Sequence, residues 1–174
     1  MKIPEAEFNI QIKDNFLSEE DFKTISDVGN KILFNSNNLG YTNKENNHVW
    51  FTADAPKIVE DIIKENVSKF FNIKILNLNV CQYSMVSKSK KTEVHNDFSE
   101  KTDFQTILYV KGNSNIHSGT GFYIKEGDNQ ILNTHIGFNP NRLVSWTSNV
   151  WHAPLSFSDE FQPRISLIAQ YKLK

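Results

Sequence analysis

A single cysteine, Cys81, rules out an intramolecular disulfide and fits a reducing, intracellular setting. No apolar run approaches the roughly 18 residues that a membrane-spanning helix needs. The opening, Met1-Lys2-Ile3-Pro4-Glu5, turns polar at once and carries no signal-sequence pattern, so the expected location is cytoplasmic, with no membrane partner. Neither charge is in excess. Lys and Arg number 19 against 20 Asp and Glu, interspersed along the chain, which argues against nucleic acid or another polyanion as a partner. No internal repeat and no linker divides the chain, and residues 1–174 are expected to form one domain with a real core. What is present is apolar bulk: 13 Phe and a 12% aromatic share exclude a disordered chain.

Two helices are expected first. Phe8-Asn9-Ile10-Gln11-Ile12 alternates as a strand does, and the chain then turns over Asp14 to Leu17. Ser18 reads as an N-cap, with Glu19, Glu20 and Asp21 in the first turn, where the helix dipole favours negative charge. Phe22, Ile25, Val28, Ile32 and Leu33 recur at three- and four-residue steps, which predicts a helix from about Glu19 to Phe34. Asn35 to Asn47 is rich in Asn, Gly and Ser and predicts a loop, carrying Tyr41 and leading into His48-Val49-Trp50-Phe51. Pro56 sits where a helix accepts proline, and the stripe Ile58, Ile62, Ile63, Val67, Phe70 and Phe71 predicts a second helix to Phe71.

From Ile73 the periodicity changes to two. Strands are predicted over 73–86, 93–98, 104–110, 121–125, 130–136, 142–146 and 164–171. Two helices followed by seven or eight strands predict a β-sandwich or barrel with the helices on one outer face. Helical support would occupy about 15–72 and the β core about 73–174. Within the first long strand the alternation sets Leu76, Leu78 and Val80 toward the helices and Cys81, Tyr83 and Met85 away from them. In the last strand Arg164, Ser166, Ile168 and Gln170 share one face, opposite the apolar Ile165, Leu167, Ala169 and Tyr171, so Arg164 is expected to look into a cavity.

The chemistry is organised around Val94-His95-Asn96-Asp97-Phe98. On a strand His95 and Asp97 point the same way, and an imidazole beside a carboxylate is two-thirds of a facial metal triad. His48, His117, His135 and His152 are the other histidines. His117 lies in a turn and His135 has no acidic neighbour, so both are read as non-ligands; His152, far along the chain among strands and followed by Arg164, is the candidate third ligand. Cys81 lacks a base partner and reads as core, and Trp146, Trp151, Phe98 and Tyr123 read as core or pocket wall.

His-x-Asp, a distant His, then Arg-x-Ser resembles the Fe(II)/2-oxoglutarate-dependent dioxygenases, particularly their prolyl-4-hydroxylase-like branch. The resemblance covers roughly Leu78 to Leu173. His95-Asn96-Asp97 matches the first two ligands and His152 the third. Pro163-Arg164-Ile165-Ser166 matches the segment whose Arg holds the far carboxylate of 2-oxoglutarate, and Ser166 can add a hydroxyl. Cys81-Gln82-Tyr83 resembles the strand whose Tyr lines that pocket. Thr106-Ile107-Leu108-Tyr109-Val110 resembles a strand whose Tyr reaches the same carboxylate. Gly119-Thr120-Gly121-Phe122-Tyr123 and Asn141-Arg142-Leu143-Val144 resemble the hairpin and the strand before the second His. The sequence departs where the Gly usual after the first Tyr is Ser84, where Ser87 to Thr92 reads as a mobile Lys/Ser loop, and where Ser158-Asp159-Glu160 looks like an inserted turn.

The resemblance implies a double-stranded β-helix (a cupin-like jelly roll) that binds Fe(II), 2-oxoglutarate and O2, with ascorbate as a candidate reductant. Its metal ligands would be His95, Asp97 and His152, and its cosubstrate contacts Arg164, Ser166, Tyr83 and Tyr109. It implies decarboxylation of 2-oxoglutarate to succinate and CO2 coupled to oxidation of a second substrate, a small molecule or a protein or peptide side chain such as peptidyl proline. Halogenases of this group lack the carboxylate ligand, so Asp97 favours hydroxylation. Two alternatives are a non-catalytic cupin-like metal- or ligand-binding module and a cupin-type enzyme using another divalent metal; neither needs the carboxylate clamp Arg164-x-Ser166.

Overall fold

A computed structural model describes residues 10–34, 49–89, 94–155, 157–158 and 163–174. The loop 35–47 with Tyr41, His48, Phe8, the Lys/Ser stretch at 90–92 and the acidic pair at 159–160 lie outside the described residues.

The first helix, α1, spans Glu19–Lys31. Ser18 caps it: its Oγ accepts from the Asp21 N–H at 3.1 Å. It stops short of Phe34 because the backbone turns extended at Ile32 (φ −65, ψ 139), leaving Leu33 in solvent with nothing to pack on. The second helix, α2, spans Lys57–Phe71, with Pro56 one residue outside as its N-cap. Asn72 ends it in the left-handed conformation at φ 52, which Asn tolerates better than most residues.

Ten strands are assigned among the described residues: β1 (Gln11–Lys13), β2 (Val49–Asp54), β3 (Ile75–Ser89), β4 (Phe104–Lys111), β5 (Asn115–Glu126), β6 (Asn129–Phe138), β7 (Leu143–Thr147), β8 (Trp151–Pro154), β9 (Phe157–Ser158) and β10 (Arg164–Leu173). A seven-stranded antiparallel sheet runs β1-β7-β4-β10-β3-β2, with β9 also paired to β3. A three-stranded antiparallel sheet runs β6-β5-β8. This is the jelly roll expected, with both helices on the outer face of the large sheet. β2, β8 and β9 were not among the predicted strands: β8 and β9 are too short to show a period, and the run Val49-Trp50-Phe51 at the start of β2 does not alternate.

Alternation divides the large sheet into a helix side and a small-sheet side. Ile25 of α1 and Val59, Ile63 and Val67 of α2 pack with Cys81, Tyr83, Leu108, Leu143, Ile165, Leu167, Ala169 and Tyr171 in one core. Gly29 lets α1 come close: a Cβ there would stand 2.9 Å from the Tyr83 ring. Between the sheets, Tyr109, Phe122, Phe138, Val144, Trp146 and Val150 form a second, smaller core.

The faces of β10 agree with the period-two reading, and Leu78 of β3 faces the helices as expected, but Cys81, Tyr83 and Met85 face them too. β10 pairs Gln170 with Val80 and Tyr171 with Leu78, stepping over Asn79. That irregularity puts Leu78 on the helix side together with Cys81 and Tyr83, rather than opposite them. Gln82, Ser84 and Val86 consequently face inward.

Candidate metal centre and cosubstrate pocket

His95 does not lie in a strand. It makes one isolated antiparallel bridge to His152 of β8, with the His95 N–H donating to the His152 carbonyl at 3.0 Å and the His152 N–H to the His95 carbonyl at 2.8 Å. The chain then leaves the sheet edge, and the Asp97 N–H donates to the Ser148 carbonyl at 3.1 Å. Ser148 is itself fixed: its N–H donates to the Asp103 carbonyl and its Oγ to the Thr102 carbonyl. Two backbone anchors therefore hold the His-x-Asp segment, one on each side of Asn96.

The outcome is a cluster. His95, Asp97 and His152 each offer a ligand atom within 4.8 Å of the other two. The His95 and His152 rings lie 4.5 Å apart by centroid, and His152 Nε2 is 3.3 Å from Asp97 Oδ2. His152 is buried, and its Nδ1 stands 3.0 Å from the Val150 carbonyl. A carbonyl can only accept, so Nδ1 carries a proton, and Nε2 is the nitrogen left to meet the Asp97 carboxylate or a metal. Burial is the largest single influence on the Asp97 carboxyl and pushes its pKa up. The polar side chains of His152 and Gln105 nearby, together with the positive charge that His152 and His95 can carry, outweigh burial and hold it below the ordinary Asp value. Two imidazoles and one carboxylate gathered together, with room beyond, are a donor set that fits Fe(II).

The cluster opens on a cavity of about 130 Å³ between the sheets. At roughly 30 Å³ per water, that is the space of about four waters, or of one small acid. Strand register arranges its wall in tiers. Arg164 lies opposite Val86; Ser166 lies between Ser84 and Tyr109; Ile168 lies between Gln82 and Ile107; and Gln170 lies beside Gln105, which in turn faces Trp146. The Trp146 ring is 4.9 Å from His152, so the metal cluster sits at the glutamine end.

Arg164 marks the other end. It is 4% exposed, and its Nη1 donates to the Gly119 carbonyl at 3.3 Å. Burial draws its pKa down, with the Tyr109 phenol opposing; a guanidinium nonetheless stays charged, so this wall carries a desolvated cation. Around it stand buried hydroxyls: Ser166, Ser84, Thr120 and Tyr109, whose phenol lies 2.9 Å from Thr120 Oγ1. Burial raises the Tyr109 pKa, against the hydrogen bond with Thr120 and the charges of Arg164 and Arg142, so its hydroxyl keeps its proton and can donate. A fixed planar cation ringed by hydroxyls is suited to a carboxylate.

Of the predicted site residues, His95, Asp97, His152, Arg164, Ser166 and Tyr109 line one cavity. Tyr83 does not. It is fully buried on the helix side, where its hydroxyl donates to the Ile25 carbonyl at 2.7 Å, and burial raises its pKa. The bulge at Asn79 gives the inward position to Gln82 instead. Gln170 lines the cavity on the face shared with Arg164, as the alternation of the last strand implied, whereas Gln82, Ser84, Gln105 and Thr120 went unpredicted. Trp146 is pocket wall as expected, whereas Phe98 is 71% exposed. His117 and His135 are exposed and stand apart from the cluster. Among the described residues no helix is long and apolar enough to cross a membrane.

No protein-family model matches this chain, and no curated protein does. Solved structures match over nearly its whole length. A prolyl hydroxylase from Trichoplax adhaerens, in complex with a hypoxia inducible factor oxygen degradation domain peptide fragment, superposes with a TM-score of 0.62 at 14% identity, over 93% of this chain and 82% of the other. A prolyl-4-hydroxylase from Pseudomonas putida gives 0.63 at 13% identity, over 96% and 94%. The non-heme alpha ketoglutarate dependent epimerase SnoN, from nogalamycin biosynthesis, gives 0.65 at 11% identity, over 95% and 78%. The chain therefore has the fold of the 2OG-Fe(II) oxygenases, in the form seen in prolyl hydroxylases.

Proposed function

We propose that this protein is a non-haem Fe(II), 2-oxoglutarate-dependent oxygenase of the hydroxylase type. The observation that carries the reading is the sharing of one small cavity by the His95, Asp97 and His152 cluster and the buried Arg164. His95, Asp97 and His152 would hold the iron, and Arg164, Ser166 and Tyr109 the far carboxylate of 2-oxoglutarate. Iron held there would allow O2, the oxidant, to oxidise both 2-oxoglutarate, to succinate and CO2, and a substrate C–H bond, to C–OH, with one oxygen atom entering each product.

The residues of the chain divide the remaining work. The Val150 carbonyl fixes the His152 tautomer, so that Nε2 is presented as a donor. Asp97 brings one negative charge, which partly neutralises a divalent cation. Arg164 pairs with a carboxylate through two parallel N–H groups, which orients the acid as well as binding it. Ile107, Ile168 and Trp146 exclude water between the two ends.

The Asp97 carboxylate supports hydroxylation over halogenation. The substrate we favour is an amino-acid side chain in a peptide, peptidyl proline first, with a small molecule as the alternative and ascorbate as a candidate reductant. The prolyl hydroxylases that share this fold support that choice, and one of them is in complex with a peptide. The test is succinate release from 2-oxoglutarate by purified protein, with and without Fe(II) and proline-containing peptides. Turnover that needs both the metal and the acid supports the reading. Metal binding without any use of 2-oxoglutarate refutes it in favour of a binding module.

A further inference from the structure

We infer that Gln105, oriented by Gln170, is a positioning residue for the Asp97 carboxylate, its Nε2 donating to the oxygen that the metal does not take. The inference rests on reading His95, Asp97 and His152 as metal ligands.

Three buried side-chain polar atoms lack a hydrogen-bond partner among the described residues: Ser26 Oγ, Gln105 Nε2 and Trp146 Nε1. Two of the three line this cavity. They stand on facing positions of β4 and β7, since Gln105 and Trp146 are register partners. A buried donor without an acceptor costs about 1–3 kcal/mol, so two side by side mark a place where an acceptor belongs.

The backbone says which acceptor. Asp97 is anchored on Ser148, and Ser148 on Asp103. Ser148 and Asp103 lie two residues from Trp146 and Gln105, just past the ends of β7 and β4. The row that holds Asp97 is therefore one side-chain step from the row that holds the two donors.

The orientation of the amide agrees. Gln170 Nε2 donates to Gln105 Oε1 at 3.3 Å, which leaves the Gln105 NH2 to point the other way. Gln105 is 1% exposed, so its rotamer is fixed by packing. The amide nitrogen has no hydrogen-bond partner among the described residues, and Gln105 and Asp97 line the same cavity. A metal-bound carboxylate has one oxygen to spare, and a donor fixed on that oxygen holds the other on the metal.

Titration with Co(II), followed by its visible absorption, tests this on the whole protein. Gln105→Leu and Gln170→Leu are compared with wild type, and the thermal unfolding of each metal-free protein is measured alongside. Gln105→Leu should weaken Co(II) about 10- to 100-fold and alter the cobalt spectrum. Its metal-free unfolding midpoint should change little, because removal of an unsatisfied donor offsets loss of the acceptor for Gln170 Nε2. Gln170→Leu should shift affinity in the same direction by less. Gln105→Asn, which keeps the donor but shortens its reach, should resemble Gln105→Leu. Wild-type affinity and an unchanged spectrum in both leucine variants would overturn the inference and leave the functional reading standing. Wild-type protein that binds no Co(II) would overturn the ligand assignment and this inference with it. A destabilised Gln105→Leu whose Gln170→Leu counterpart is stable and binds normally would make Gln105 a structural residue only, and would also overturn the inference.

Discussion

His95 and His152 are joined by their backbones before any ligand joins their side chains. Each donates its N–H to the other's carbonyl, at 3.0 and 2.8 Å, and the bridge adds a single residue to the edge of the small sheet beside β8. In antiparallel pairing, residues that exchange both hydrogen bonds sit directly opposite, with their side chains on one face. The two imidazoles are brought together by that constraint and not by metal. The site is thus preorganised, and little chain ordering is left to be done on binding.

His152→Ala is expected to abolish binding of Fe(II) or Co(II) while leaving the fold intact. The backbone bridge to His95 needs no side chain. The metal-free protein loses the Nδ1–Val150 hydrogen bond, about 1 kcal/mol, together with the ring's contacts to Asp97 and Trp146. Metal titration together with circular dichroism melting separates the two effects.

Arg164→Lys and Arg164→Met are expected to weaken 2-oxoglutarate by tenfold or more. A charge-assisted hydrogen bond contributes about 1.5–3 kcal/mol, and lysine cannot reproduce the planar fork. Metal affinity should be unchanged, because Arg164 sits at the far end of the wall from the cluster. Calorimetry on the metal-loaded protein measures both. Unchanged affinity for the acid in the methionine variant would contradict the assignment.

Tyr83→Phe is expected to lower stability by about 1 kcal/mol, through loss of the buried hydrogen bond to the Ile25 carbonyl. It should leave the affinity for 2-oxoglutarate as it was. Denaturant unfolding and acid binding, measured on the same variant, distinguish a helix-side tyrosine from one that lines the pocket.

Asp14 pairs with Arg142, with Nε to Oδ1 at 2.6 Å, and so ties the start of the chain to the turn before β7. The hydrogen bond from Arg142 holds the Asp14 carboxyl below its ordinary 3.8. A depressed carboxyl stabilises the fold above the unfolded value, and that stability is lost as pH falls through the folded one. Both groups are partly exposed, so screening keeps the contribution below about 1 kcal/mol. Asp14→Asn should therefore be slightly less stable than wild type at pH 7. The difference should shrink once the pH drops below about 4, where free Asp is protonated. Urea unfolding at the two pH values checks the sign.

Much of this protein was legible in the order of its residues. Ser18 and the acidic turn after it set the start of α1, because capping is local chemistry. The switch from three- and four-residue spacing to alternation at Ile73 set the layered architecture. The faces of β10 followed from alternation alone, and with them the inward direction of Arg164 and Ser166. His95, Asp97, His152 and Arg164 could be picked out by residue type and order, since a metal and a carboxylate demand particular donors wherever the chain supplies them.

Other features needed the third dimension. The bulge at Asn79 exchanged the faces of β3 from Val80 onward, moving Tyr83 into the helix core and Gln82 into the pocket, and one skipped residue leaves no trace in composition. The predicted strand around His95 proved to be a single bridge followed by a departure to Ser148. The nearness of Gln105 to Asp97 depends on a backbone row that runs through three separate segments. The sequence by itself determined which donors the site has, because chemistry is a property of residue types. The tertiary structure decided which of them face one another, because pairing partners and faces depend on long-range register, and a shift of one residue reverses them.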